Sequence, residues 1–230
     1  MHRITTHPSL NFTLVINPDS GPGSSQYPSD DYVSAIQKLN SYSNVRTVGY
    51  VRTTYATRNV TDVLQDVSTY SGWANYTGVD GNSTGLAVHG IFFDEAPYQY
   101  SAEAAEYLVT INEAVKNASG LLPDRTIIHN PGTIPDSGLE TNSTDITIVF
   151  ENAYEAYQTK QSALVSLSGG RSRYSYVVHS APTSMSKSDL RDFVNKMSKT
   201  AEFLFVTDLS QDYYSSFGPD WQAFVDVVPT

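Results

Sequence analysis

Short, nearly uninterrupted apolar runs recur along the chain, and they predict strands covered on both faces. The runs are Phe12–Ile16, Val45–Val51, Gly90–Phe93, Thr126–His129, Ile146–Phe150, Tyr174–Val178 and Phe203–Val206. Between them, apolar residues recur at helical spacing. Pro28-Ser29-Asp30-Asp31 reads as a helix start before Val33, Ile36 and Leu39. Val60, Val63, Leu64 and Val67 follow Asn59 on one helix face, and Ser101 opens a longer helix carrying Ala105, Leu108, Ile111 and Val115. Leu190, Phe193, Val194 and Met197 repeat the pattern. Strand alternating with helix predicts an α/β fold with a parallel sheet and right-handed crossovers.

Spacing chooses between an open sheet and a barrel. The strands end near Asn17, Tyr50, Asp94, Asn130, Glu151, His179 and Asp208, about 32 residues apart on average, which suits a (β/α)8 barrel of the TIM type. Seven strands are visible where a closed barrel needs eight, and the polar N-terminal stretch does not supply the eighth. At 230 residues the chain is expected to be one (β/α) barrel domain spanning 1–230.

Parallel α/β folds bind ligands at the carboxyl ends of their strands. Those ends are rich in chemistry here: Asn17, Tyr50, Asp94-Glu95, Asn130, Glu151, His179 and Asp208. In Gly90-Ile91-Phe92-Phe93-Asp94-Glu95, four residues suited to burial deliver two adjacent carboxylates to the rim, and Glu151 arrives in the same way. Adjacent strand residues face opposite ways, so a turn at Ala96-Pro97 is needed to bring both acids to one mouth. Glycoside hydrolysis needs one carboxyl group to protonate the leaving oxygen and another to attack or to activate water. Asp94, Glu95 and Glu151 are therefore the catalytic candidates. The plainer alternative is that Asp94 or Glu95 caps a helix or pairs with Arg52 or Arg58. Asn17 and Asn130 either orient substrate hydroxyls or hold their own loops beside Pro18 and Pro131. Tyr50, Tyr55 and Trp73 are candidate sugar-stacking rings, with packing as the alternative. His179 and Asp208 complete the substrate-binding candidates.

Composition narrows the partners. A formal charge of −10 disfavours nucleic acid and anionic membranes and attracts cationic chains. No apolar run is long enough to span a bilayer, and the polar Met1–Leu10 stretch is not a signal peptide. Six sequons, at Asn11, Asn59, Asn75, Asn82, Asn117 and Asn142, are a modest excess over chance and favour a secreted or cell-surface glycoprotein. There is no cysteine and no metal-binding motif, and no cofactor is implied. Gly81-Asn82-Ser83-Thr84-Gly85 matches a nucleophile-elbow pattern, but no buried strand precedes it, so it is read as coincidence.

Val15 to Gly23, Gly49-Tyr50-Val51 with Thr53 and Tyr55, Gly90 to Glu95, His129 to Gly132 and Phe150-Glu151 together resemble the spherulin-4-like glycoside hydrolase family, in order from about residue 10 to residue 208. The resemblance implies a (β/α)8 barrel and endo-hydrolysis of N-acetylgalactosamine-containing fungal exopolysaccharide of the galactosaminogalactan type. Its acidic trio corresponds to Asp94, Glu95 and Glu151. Family chains usually begin with one more strand, which this sequence lacks. The expected activity is a retaining endo-glycosidase acting as a monomer, on a polymer that can carry cationic amino groups. The alternative is an inactive barrel that binds polysaccharide in a cell wall or spore coat.

Overall fold

The computed structural model describes residues 2–78 and 85–230, so Asn82 and most of the Gly81–Gly85 pattern lie outside it. Contacts group the chain into two compact units: Met1–Pro131 with Pro135–Asp145, and Gly132–Ile134 with Ile146–Thr230.

The first unit runs α1 (His2–Thr6), β1 (Phe12–Ile16), α2 (Asp30–Asn40), β2 (Val45–Arg52), α3 (Val60–Gly72), β3 (Gly90–Asp94), α4 (Ala102–Asn117) and β4 (Thr126–Asn130). Its strands pair in parallel and in chain order. Every residue of β4, and every residue of β3 but the last, is buried, as strands covered on both faces must be. Register fixes the faces. Val51, Phe93 and His129 align on one side, while Arg52, Asp94 and Asn130 align on the other. The Val51 and Phe93 side packs with Val63, Val67, Leu108 and Ile111 of the helices. Burying a side chain of that size contributes about 1.5–3 kcal/mol. At Gly90 any Cβ would collide with the Thr126 carbonyl, so glycine lets β3 and β4 approach.

The second unit runs β5 (Ile146–Ala153), α5 (Tyr154–Val165), β6 (Tyr174–His179), α6 (Lys187–Met197), β7 (Phe203–Val206) and α7 (Trp221–Val225), again with parallel strands in chain order. Leu190, Phe193, Val194 and Met197 are all buried, as their spacing predicts.

All seven expected strands form, and five extend past their apolar runs to Arg52, Asp94, Asn130, Ala153 and His179. Polar residues continue these strands because neighbouring strands still satisfy their backbone groups. Ser101 caps α4 by accepting from the Ala104 N–H, and Asn59 caps α3 by accepting from the Thr61 N–H. Ser29 holds the cap position of α2, but its side chain makes no capping hydrogen bond. The sequence pattern predicts no helix at α5, because only Tyr157 and Leu164 along it are buried and so leave no stripe to read. Trp73 is fully buried, edge-on to Tyr70 at 4.6 Å; it is core, and the stacking role considered for it is corrected. Among the described residues, no helix is long and apolar enough to cross a membrane.

Candidate active site

Each unit carries one group of the candidate residues at its strand ends. In the first, Asp94 is the last residue of β3. Its Oδ2 accepts from the Tyr50 hydroxyl at 2.7 Å, and its Oδ1 accepts from Asn130 Nδ2 at 2.8 Å. Two neutral donors from the flanking strands thus fix both carboxylate oxygens. A hydrogen bond to a charged acceptor contributes about 1.5–3 kcal/mol. Burial, and then the hydrogen bond to Asp94, push the Tyr50 hydroxyl well above its usual range, so it stays protonated and acts as a donor. Asn130 is buried, and its carbonyl accepts the Ala96 N–H at 2.9 Å, which ties the following loop to β4.

Glu95 turns the chain. Its φ of 50° lies in the left-handed region, so its side chain leaves the strand alternation. Both carboxylate oxygens meet Arg52, at 2.7 and 3.0 Å. The pairing alternative therefore holds for Glu95 with Arg52, whereas Arg58 pairs with Asp66 at 2.7 Å. Since Arg52 is half exposed, this pair orients more than it stabilises. Thr54, Tyr55 and Ala56 all have positive φ, and the Tyr55 N–H donates to the Glu95 carbonyl. Three successive non-glycine residues in that region store backbone strain, which persists only where surrounding bonds hold it. Buried Thr53 supplies such bonds: its hydroxyl lies 2.9 and 2.8 Å from the carbonyls of Asp94 and Glu95. Tyr55 is left 51% exposed, edge-on to Tyr98 at 6.2 Å.

In the second unit, β5 and β6 lose register between Ile148 and Phe150, so Val149 is skipped along that ladder. The skip reverses the alternation. Phe150 aligns with Tyr176, and both contact Tyr157 of α5, while Glu151 aligns with Val177 on the opposite face, the one shared by His179. Without it, Glu151 would align with Val178. Glu151 Oε1 accepts from the Tyr213 hydroxyl at 2.8 Å, and the Tyr213 ring stacks on His179 at 4.7 Å and 9°. The Glu151 N–H donates to the carbonyl of Gly132, whose φ of 69° favours glycine. Burial pushes the His179 imidazole below its ordinary pKa, and the Glu151 charge opposes the shift.

Tyr50, Asn130 and Asp94 thus form one cluster with Glu95 adjacent, and Glu151 and His179 form another. Tyr55 meets the first through its backbone N–H on the Glu95 carbonyl, and two candidates join neither. Asn17 accepts the Gly21 N–H at 2.9 Å through its side chain, so it holds its own loop. Asp208 lies beside Gly218 and Asp220, next to a cavity of about 60 Å³. The sequence marks Thr53 only as part of the family pattern and gives it no role, and it does not mark Tyr213, whose one signal is its place in the polar, aromatic segment following β7.

Comparison with known proteins agrees with these features. Residues 1–228 match the profile of Spherulin4, spherulation-specific family 4. Spherulin-4 of Physarum polycephalum is 32% identical over 204 residues, which are 86% of this chain and 56% of that protein's length. The crystal structure of Aspergillus clavatus Sph3 in complex with GalNAc superposes with a TM-score of 0.92 at 44% identity, covering 98% of this chain and 88% of that one. With the profile matched over nearly its whole length, the chain belongs to spherulation-specific family 4.

Proposed function

We propose that this protein is a secreted glycoside hydrolase on a (β/α)8-type barrel that cleaves GalNAc-containing exopolysaccharide internally and with retention of configuration. The observation that carries the reading is the setting of Asp94, a strand-end carboxylate whose two oxygens are aimed by Tyr50 and Asn130. The substrate class rests on similarity to a protein solved with GalNAc. Exposure of the five sequon asparagines among the described residues, Asn11, Asn59, Asn75, Asn117 and Asn142, suits a glycosylated, exported chain.

In this mechanism Asp94 attacks the anomeric carbon while Glu151 gives its proton to the departing glycosidic oxygen. Glu151 then takes a proton from water, whose oxygen displaces Asp94 and restores both carboxyl groups. Glu95 transfers no proton; held by Arg52, it supplies fixed charge beside Asp94. Tyr55 offers an exposed ring to the sugar, and His179 positions Tyr213 against Glu151.

The test is turnover of a GalNAc polymer by the wild type, Asp94→Asn and Glu151→Gln, with products read by mass spectrometry and folding by thermal melting. Each variant should melt as wild type and lose about 10²–10⁴-fold in turnover. Near-wild-type activity in either variant removes that residue from the mechanism. Wild type that binds polymer and releases no reducing ends is a binding protein.

A further inference from the structure

The segment between β7 and α7 carries an exposed aromatic surface that the chemistry above leaves unused. Tyr214 and Phe217 are 63% and 64% exposed, the most open large apolar side chains among the described residues. They are ordered in pairs. Tyr214 stacks on Phe205 of β7 at 6.3 Å and 20°, and Phe217 stacks on Trp221 of α7 at 4.5 Å and 29°. Phe205 and Trp221 touch in turn at 6.0 Å. Two inner rings thus support two outer rings, which stay mostly exposed. Turn hydrogen bonds fix the backbone, from the Ser215 N–H to the Asp212 carbonyl and from the Trp221 N–H to the Gly218 carbonyl.

We infer that Tyr214 and Phe217 form a platform that binds pyranose rings of the polysaccharide beyond those held at Glu151. The inference rests on the proposed substrate class. Continuity supports it: Tyr213, which donates to Glu151, lies 4.7 Å from the ring of Tyr214. Chemistry selects the occupant. A pyranose has an apolar C–H face edged by hydroxyls, so it suits flat rings interleaved with polar groups. Ser215 and Ser216 stand exposed between the two rings, with Gln211 and Asp212 just before them. A protein or lipid partner would call for a contiguous apolar patch instead. Because the rings are already stacked, binding spends little side-chain entropy.

The experiment measures binding of GalNAc oligosaccharides of increasing length by calorimetry in an Asp94→Asn background, so that turnover does not consume the ligand, with reducing-end release read separately on the wild type. In that background, affinity should rise about tenfold from short to long chains. Tyr214→Ala/Phe217→Ala added to it should flatten that rise, and Tyr214→Phe/Phe217→Tyr should keep it, all three proteins melting alike. A rise of equal size in the alanine double variant overturns the platform while leaving the hydrolase reading intact. A rise that depends on the platform, without release of reducing ends, keeps the platform and overturns the hydrolase. No binding at any length overturns both. Self-association in the wild type, abolished by the double variant, would make the surface an interface between copies and also overturn the proposal.

Discussion

His129 offers a quantitative test of how the strand carrying Asn130 is held. Strand alternation points Asn130 to Asp94 and His129 the other way, toward α4, where its Nε2 lies 2.8 Å from Asn112 Oδ1. The Asn112 amide also reaches Thr141, Ser143 and Thr144, so helix, strand and loop share one buried polar network. His129 is 4% exposed, and burial lowers its pKa from 6.5 to about 4. As pH falls below 6.5 the unfolded chain therefore takes up a proton that the folded chain refuses. Stability contributed by this group is complete above pH 6.5, declines by about 1.4 kcal/mol per unit, and is lost by about pH 4, for roughly 3 kcal/mol in all. The measurement is urea unfolding of the wild type and His129→Gln from pH 7.5 to 4, because the difference between the two cancels the carboxylates common to both. Glutamine retains an amide donor for Asn112 and has no proton to gain. The stability advantage of wild type at pH 7.5 should shrink by roughly 3 kcal/mol toward pH 4, equivalent to about 6–12 °C in Tm for a chain of this size. Parallel curves would mean that the imidazole titrates normally and that the buried network is misread.

Two further outcomes follow from the same geometry. Tyr50→Phe should lower turnover roughly ten- to hundredfold with little change in melting, because it removes one of the two bonds that aim Asp94; unchanged turnover in steady-state assays would show that Asp94 needs no such support. The charge of −10 should favour a partly deacetylated, cationic polymer; its specificity constant should fall with added salt while that of a fully acetylated oligosaccharide holds steady, and parallel salt curves would reduce the charge to a solubility device.

Much of this molecule can be read from local pattern. Strand and helix positions follow from the apolar runs and helical spacings, because burial selects side chains whatever their distant partners are. Asp94, Glu95 and Glu151 stand out at strand ends for the same reason, as carboxylates directly after residues that must be buried. Family membership is likewise legible in the sequence, as a profile match over residues 1–228. What tertiary structure decided is where those groups point. The skip at Val149 exists only as a register between β5 and β6, and it alone puts Glu151 on the face of His179. Glu95 turns toward Arg52 because its backbone enters the left-handed region, held there by Thr53 and Tyr55 of another strand's loop. Tyr213 reaches Glu151 across 62 residues of sequence, and no local spacing encodes such a contact. Trp73 reads as a sugar platform until packing buries it. Periodicity records whether a position meets the core or water, whereas register, turn sign and long-range hydrogen bonds depend on partners that only the folded chain brings together.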